Sequence, residues 1–216
     1  MQVNEIFHSI QGEGNTVGLN VVFLRTSGCT LNCDFCDTKY HVKGKPMTVE
    51  QVVDRISDFP TNNVVVTGGE PLLFQSEILE VIKAMPAHNF WIETNGTLTP
   101  SKDLIKEVAG FNVSPKLSNS NNKKENAIIN SALKEFALSQ KAIFKFVVNG
   151  EEDIVEIADI QETVGIYAFM IYLMPQGTQK REIEKKEKDV IELCKKHGYN
   201  YSPRIHVTIY QGKKGV

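Results

Sequence analysis

The sequence predicts an α/β fold, namely a partial, open TIM-like β/α barrel of about six parallel strands. Strand and helix patterns alternate along the chain, and a helix after each strand is the crossover that parallel neighbours require. The 216 residues are too few for a complete eightfold barrel of about 250. Strand after strand also ends in a compact polar or glycine-rich segment. In a parallel barrel those segments would meet on one face, where ligands bind.

The first half of the chain contains five strand-like runs and three helix-like ones. Thr48 to Gln51 form a capping box ahead of apolar residues at helical spacing. Ser101 caps another helix, which Gly110 ends, and a third helix stops at Pro86. The strands are expected at residues 3–9, 21–26, 63–67, 90–93 and 111–114.

The second half begins with a polar, asparagine-rich loop over residues 116–126. The clearest helix, over 181–196, has a basic last turn before Gly198. Before it we expect helices over 127–138 and 151–160 and strands over 142–148 and 166–173. After it, alternation along residues 204–210 predicts a final strand that places His206 on one face with Arg204.

Charge and cysteine content argue against several classes of protein. Twenty-four basic and 26 acidic residues give a net charge of -2, so we expect no nucleic-acid partner. The N-terminus lacks the pattern of a signal peptide, and the longest apolar run, 167–174, is too short to span a bilayer. Only four cysteines, three of them clustered, favour a reducing compartment. We expect a cytoplasmic protein with no membrane contact and a single domain over residues 1–216.

The three clustered cysteines, Cys29, Cys33 and Cys36, follow the second strand with the spacing C-x3-C-x2-C. Thiols so close in sequence converge only if the backbone curls, and a shared metal is the usual reason. Structural zinc would need a fourth ligand, either Asp37 or His41. A 4Fe-4S cluster on three cysteines leaves one iron open to a reagent. The spacing favours the cluster and leaves zinc possible.

The other candidate residues each have a structural and a functional interpretation. Gly68 and Gly69 form a tight turn, or they present backbone groups beside Glu70 to an ammonium group. Lys116, after Ser114 and Pro115, ends a strand or faces a carboxylate. Residues Gln11, Gly12 and Glu13 form a surface turn or read the edge of a heterocycle. Arg25 is a fork for a carboxylate, and His206 faces either a site or solvent.

Together these motifs resemble the radical S-adenosylmethionine superfamily. More narrowly, the ordered set is similar to that of the 7-carboxy-7-deazaguanine synthase family, from Glu5 to about Gly177 and more loosely to His206. Each motif alone is weak evidence for this family, whereas the ordered set of motifs is specific to it. The set comprises Ser9–Gly14, Cys29–Thr38, Gly68–Pro71, Glu93–Gly96, Ser114–Lys116 and Met174–Gln176.

The resemblance implies a radical SAM core and a lyase reaction in 7-deazapurine (queuosine) biosynthesis. Cys29, Cys33 and Cys36 would hold the 4Fe-4S cluster, and Thr38 would bind Mg2+. The substrate would be 6-carboxy-5,6,7,8-tetrahydropterin, whose ring contracts with loss of ammonia. Its ligands would be Gln11, Gly12, Glu13, Arg25 and His206. Those of S-adenosylmethionine would be Gly68, Gly69 and Glu70 (amino group), Ser114 and Lys116 (carboxylate), and Glu93, Asn95 and Gln176 (ribose and adenine).

The resemblance also implies a flavodoxin- or ferredoxin-type electron donor and a homodimer. Two other functions remain open from the residues. One is a radical enzyme that activates a glycyl-radical protein, which would not need the set of Gln11, Glu13 and Arg25. The other is a zinc-binding module without catalysis, which would be colourless.

Overall fold

A computed structural model of the chain describes residues 1–39, 43–210 and 213. Its single sheet has nine strands, in the spatial order 3-1-2-4-5-6-7-8-9. The strands are β1 (Gln2–Ile10), β2 (Asn20–Thr26), β3 (Lys45–Pro46), β4 (Asn63–Gly68), β5 (Asn89–Thr94), β6 (Gly110–Val113), β7 (Ala142–Val148), β8 (Ile171–Pro175) and β9 (Asn200–Tyr201).

Strands β2 and β4 to β9 are parallel neighbours, whereas β1 pairs with β2 and β3 in antiparallel register. Six of the parallel strands have four residues or more, and β9 has two. Within the described residues the sheet does not close, because β3 and β9 remain its edges. The prediction of an open barrel of about six parallel strands is confirmed.

Eight α-helices accompany the sheet in the described part of the chain. The two predicted N-terminal caps are present, since Thr48 and Gln51 form a capping box before Val49–Ser57 and Ser101 caps Lys102–Glu107. The second of these helices ends before Gly110, which begins β6 and is not its C-terminal residue as predicted. The helices are α1 (Val49–Ser57), α2 (Gln75–Ala84), α3 (Lys102–Glu107), α4 (Lys124–Ala127), α5 (Asn130–Leu138), α6 (Glu152–Val164), α7 (Lys180–His197) and α8 (Ile205–Tyr210).

The predicted strand over residues 204–210 is wrong, since these residues form α8. The amides of Val207 and Thr208 donate to the carbonyl of Arg204, at 3.1 and 3.2 Å, and start the helix. A short run with β-branched residues suits either structure, and tertiary contacts decide. Here the amide of Ile205 donates to Gly12 (3.1 Å), which fixes α8 against the loop after β1.

Two other boundaries differ from the prediction. The helix expected over 127–138 begins only at Asn130, as α5, whereas α4 forms within the expected asparagine-rich loop and shortens it. The strand expected over 166–173 begins only at Ile171, after a 3-10 turn at Ala168–Met170.

The two faces of the sheet bury different sets of residues. Val22, Leu24 and Val66 belong to the large core that also includes the inward faces of the helices. The alternate residues Val21, Phe23 and Val65 form a small second cluster with Phe7 and Trp91. Phe7 and Phe23 also line the cavity described below, so this cluster packs beneath it. None of the described helices is both long and apolar enough to cross a bilayer.

Candidate functional site

A cavity of about 1120 Å³ lies at the carboxyl ends of the parallel strands. Its wall contains residues from the turns after β1, β2, β4, β5, β6 and β8, and from α8. Of the 17 residues predicted for the site, Glu70 alone is absent from the wall. The wall includes Gln11, Gly12, Glu13, Arg25, Cys29, Cys33, Cys36, Thr38, Gly68, Gly69, Glu93, Asn95, Ser114, Lys116, Gln176 and His206.

The cysteine loop leaves β2 at Thr26 and turns so that all three thiols line this cavity. The amide of Cys36 donates to the carbonyl of Cys33 (3.2 Å), which forms the turn between them. None of the three is in a disulfide. Burial raises the pKa of Cys29 and of Cys33, so without a metal both thiols stay protonated.

Two asparagine side chains contact the sulfurs. Asn122 donates to Cys33 Sγ at 3.2 Å and accepts from the amide of Asn32 at 3.1 Å, which joins the asparagine-rich loop to the cysteine loop. Asn95 lies 3.7 Å from Cys29 Sγ and donates to Thr30 (3.0 Å). Donors at the sulfurs stabilise thiolates, so this surrounding suits sulfur ligands of a metal.

The arrangement fits a 4Fe-4S cluster better than a single zinc ion. Zn–S bonds of about 2.3 Å would draw the sulfurs of a tetrahedral site together within about 4 Å. In the described residues, no group of three His, Cys, Asp or Glu side chains is placed to hold a single metal ion. Asp37, one proposed fourth ligand, is paired with Arg204, and His41, the other, lies outside the described residues. A larger cluster tolerates thiols that are further apart.

The turn after β4 packs directly on the cysteine loop. A Cβ on Gly69 would collide with the carbonyl oxygen of Gly28, and one on Gly68 with the backbone of Thr26. The amide of Glu70 donates to that same Gly28 carbonyl at 2.8 Å. Glycine is therefore required here by close approach of two backbones.

Glu70 lies behind the cavity wall, fully buried. Its carboxylate accepts from the amide of Leu72 (3.0 Å), the hydroxyl of Thr94 (2.8 Å) and the amide of Asn95 (2.8 Å). Burial raises its pKa, and these three donors oppose that effect. These hydrogen bonds join the turn after β4 to the turn after β5. The carboxylate of Glu70 does not line the cavity, in contrast to the predicted contact with the amino group of S-adenosylmethionine.

Polar groups on the strand ends are held in place by one another. Glu93 accepts from Gln11 (3.0 Å) and from Thr67 (3.1 Å), and Gln11 in turn accepts from the amide of Glu13 (3.1 Å). The ammonium group of Lys116 donates to the carbonyl and the hydroxyl of Ser114. Burial lowers the pKa of Lys116, and no ion pair joins it to a carboxylate of the described residues. The carboxylate of a bound ligand would supply the negative charge that the ammonium group of Lys116 lacks.

Two further predicted residues are already paired with protein groups. Gln176 accepts from Lys186 at 2.8 Å. Arg25 forms an ion pair with Glu5 (2.8 Å) and lies over the ring of Phe7, 5.9 Å from its centre. Arg25 nevertheless lines the cavity, so its position remains compatible with the predicted carboxylate contact.

Glu13 lies at the centre of a buried ionic network. It pairs with Lys145 and with Arg204 (3.1 Å), while His206 lies 3.6 Å away. Burial would raise the pKa of Glu13, but these cations outweigh burial and hold it well below its usual range. Arg204 also donates to Gly177 and pairs with Asp37 of the cysteine loop. These contacts therefore join five separate segments around the cavity.

Sequence reasoning missed Lys145, Asn122 and the role of Arg204. Lys145 had a recognisable signal, because it is a single cation in the otherwise apolar run Ala142–Val148, where its side chain is buried. Asn122 and Arg204 had none, since a polar loop and an arginine after a proline are ordinary surface features.

Comparison with known proteins gives one family model and a set of full-length relatives. The Radical SAM superfamily model matches residues 23–120. The 7-carboxy-7-deazaguanine synthase of Pyrobaculum aerophilum is 34% identical, over 100% of this chain and 97% of its own length. That of Halobacterium salinarum is 33% identical, over 97% and 90%.

Among solved structures, the crystal structure of QueE from Escherichia coli superposes with a TM-score of 0.72. It covers 93% of this chain and 92% of its own, at 23% identity. That likeness shows a common fold over nearly the whole chain. The sequence identities of the full-length relatives are high enough to show membership of their family as well.

Proposed function

This chain belongs to the 7-carboxy-7-deazaguanine synthase family of radical S-adenosylmethionine enzymes, and from that premise we propose its reaction. It converts 6-carboxy-5,6,7,8-tetrahydropterin to 7-carboxy-7-deazaguanine with loss of ammonia. The family implies a 4Fe-4S cluster and S-adenosylmethionine as cofactors. One observation carries the proposal: the three thiols share a cavity with Gln11, Glu13 and Arg25, the residues expected to bind the pterin.

The charge of the wall supports a pair of carboxylated ligands. Three carboxylates line the cavity (Glu13, Asp37 and Glu93), against six lysines and arginines (Arg25, Lys39, Lys116, Lys145, Arg204 and Lys213). S-adenosylmethionine and the pterin each carry a carboxylate, so both would find cations there. A partly enclosed cavity suits a small molecule better than the polypeptide loop that a glycyl-radical activating enzyme must admit.

The cysteines would hold the cluster, which when bound supplies the electron that cleaves S-adenosylmethionine to a radical able to take hydrogen from the pterin. Lys116 and Ser114 bind the carboxylate of S-adenosylmethionine, and the backbone of Gly68 and Gly69 binds its amino group. Glu70 positions that turn through its three hydrogen bonds. Glu93, Asn95 and Gln176 contact the ribose and adenine side, and the buried wall keeps water from the radical.

On the pterin side, Gln11, Gly12 and Glu13 face the heterocycle and Arg25 its carboxylate. His206 lies on the same side, close to Glu13. Thr38 binds Mg2+ through a half-buried hydroxyl that lines the cavity, 3.7 Å from Cys36 Sγ. Mg2+ retains several waters and substrate oxygens, so one protein ligand is compatible with its coordination. The protein accepts its electron from a flavodoxin- or ferredoxin-type donor and acts as a homodimer.

The test is anaerobic incubation of reconstituted protein with S-adenosylmethionine, a strong reductant and the pterin, followed by mass analysis. We expect 7-carboxy-7-deazaguanine and 5'-deoxyadenosine. Formation of 5'-deoxyadenosine alone would refute the specific reaction and keep the radical chemistry. A colourless reconstituted protein would favour the zinc module instead.

Arg25→Ala separates the pterin reaction from cofactor cleavage. We expect it to lose product formation while reductive cleavage of S-adenosylmethionine without pterin continues. Arg55→Ala, which removes an exposed arginine on α1, is the control and should retain both. Full product formation by Arg25→Ala would show that Arg25 does not hold the substrate.

A further inference from the structure

Asn112 has an unused hydrogen-bonding capacity in the cavity wall. It is 2% exposed, lies in β6 and lines the cavity. Neither Oδ1 nor Nδ2 has a hydrogen-bond partner in the described structure. Among the residues that the structure describes, four others have a buried side-chain polar atom without a hydrogen-bond partner, yet none of them lines the cavity: Thr16, Ser27, His88 and Asn119.

The strand and one glycine direct this carboxamide. Phe111 and Val113, on either side of it, belong to the large core, so Asn112 points to the opposite face of the sheet. A Cβ on Gly14 would lie 2.8 Å from Oδ1 and 2.9 Å from Nδ2. Gly14 therefore leaves the space that the carboxamide occupies, directly after Gln11–Glu13.

Neighbouring polar groups are already engaged. Glu93 is level with Asn112 in the next strand, and its two oxygens accept from Gln11 and Thr67. Gln11 accepts from the amide of Glu13. Buried polar groups are nearly always paired, so a donor and an acceptor left over in a cavity wall indicate a partner that comes from a ligand.

We propose that Asn112 is a specificity-determining residue that pairs with the lactam edge of the substrate's aminopyrimidinone ring, N3–H and C4=O. This rests on the proposed function. A carboxamide places one acceptor beside one donor, which is the complement of that edge. It is also uncharged, as is the edge, whereas the cations of the wall suit the substrate's carboxylate. A site built on such pairs rejects analogues that cannot make them.

The experiment is a binding cycle on reconstituted enzyme with S-adenosylmethionine, without reductant so that no turnover occurs. Calorimetry gives the Kd of the pterin and of its N3-methyl derivative, for the unmodified enzyme and for Asn112→Leu. We expect N3-methylation and Asn112→Leu each to weaken binding about 10-fold or more. The two together should weaken it little further, because both remove the same contact.

The proposal would be overturned if the two changes weakened binding additively, or if Asn112→Leu left the Kd unchanged. The carboxamide of Asn112 would then be paired with water and not with the substrate. Asn112→Ala repeats the cycle without a branched side chain beside Gly14, in case the leucine variant does not fold. Asn89→Leu, at the exposed opposite end of β5, is the matched control and should bind normally. If the unmodified enzyme cleaves S-adenosylmethionine on reduction but binds no pterin, the proposed function itself fails.

Discussion

Two sides of the cavity are built by different forces. The thiol side consists of Cys29, Cys33 and Cys36 with the turns after β4, β5 and β6. Close backbone approach and hydrogen bonds centred on Glu70 and Asn122 hold it together. The ionic side consists of Glu13, Lys145, Arg204, Asp37 and His206, which are held by charge. The first therefore depends on shape and the second on mutual neutralisation, and substitutions should affect them differently.

The largest effect is expected from Gly69→Ala on the thiol side. The new methyl group meets the backbone of Gly28, which cannot move without displacing the cysteine loop. We expect near-complete loss of iron and sulfide uptake on anaerobic reconstitution, measured by iron content and visible absorption. Gly150→Ala is the control, because its methyl group meets only the flexible side chain of Glu152. Normal iron uptake by Gly69→Ala would contradict the shape argument.

Glu13→Gln changes the ionic side and should lower the free energy of unfolding by a large amount. The substitution leaves buried Lys145 without its carboxylate and Arg204 with Asp37 alone, and an unpaired buried charge costs about 3–5 kcal/mol. Urea unfolding measures this loss. The double variant Glu13→Gln/Lys145→Met should recover part of it, since it removes one orphaned cation. An equal loss in the single and double variants would mean that charge is not what holds this side.

Asn122→Ala sharpens the comparison with a smaller effect. It removes the hydrogen-bond donor at Cys33 Sγ and the hydrogen bond with Asn32, but it replaces none of the three cysteines. We expect iron to bind about 10- to 100-fold more weakly, and the midpoint potential of the cluster to fall, because donors at sulfur stabilise the reduced state. Redox titration followed by electron paramagnetic resonance measures the potential. Asn126→Ala, on exposed α4, should change neither.

The smallest effect concerns pH. The pKa of Glu13 is held below its unfolded value of about 4.3, so its stabilisation is complete above that pH and is lost as the pH falls further. The free energy of unfolding should therefore decrease less steeply between about pH 4.3 and 2 in Glu13→Gln than in the unmodified chain. Parallel pH profiles would show that Glu13 does not contribute this dependence.

The same difference explains how far sequence could predict the site. The thiol side is encoded in short motifs, Cys29–Cys36 and Gly68–Glu70, each of which has a spacing that can be recognised by itself. Glu13, in contrast, meets Lys145 132 residues later and Arg204 191 residues later. Single charges so far apart carry no spacing signal. The predicted strand over residues 204–210 fails for the same reason, because the contact of Ile205 with Gly12, far away in sequence, decides their conformation.

The ionic side also has a consequence for the order of events during synthesis. A ribosome that adds about 5–20 residues per second would need roughly 10–40 s to pass from Glu13 to Arg204. The cysteine loop and its partner Asn122 emerge well before then. Each new molecule thus passes through a period in which its sulfur ligands are already made while Glu13 and Asp37 still lack their arginine.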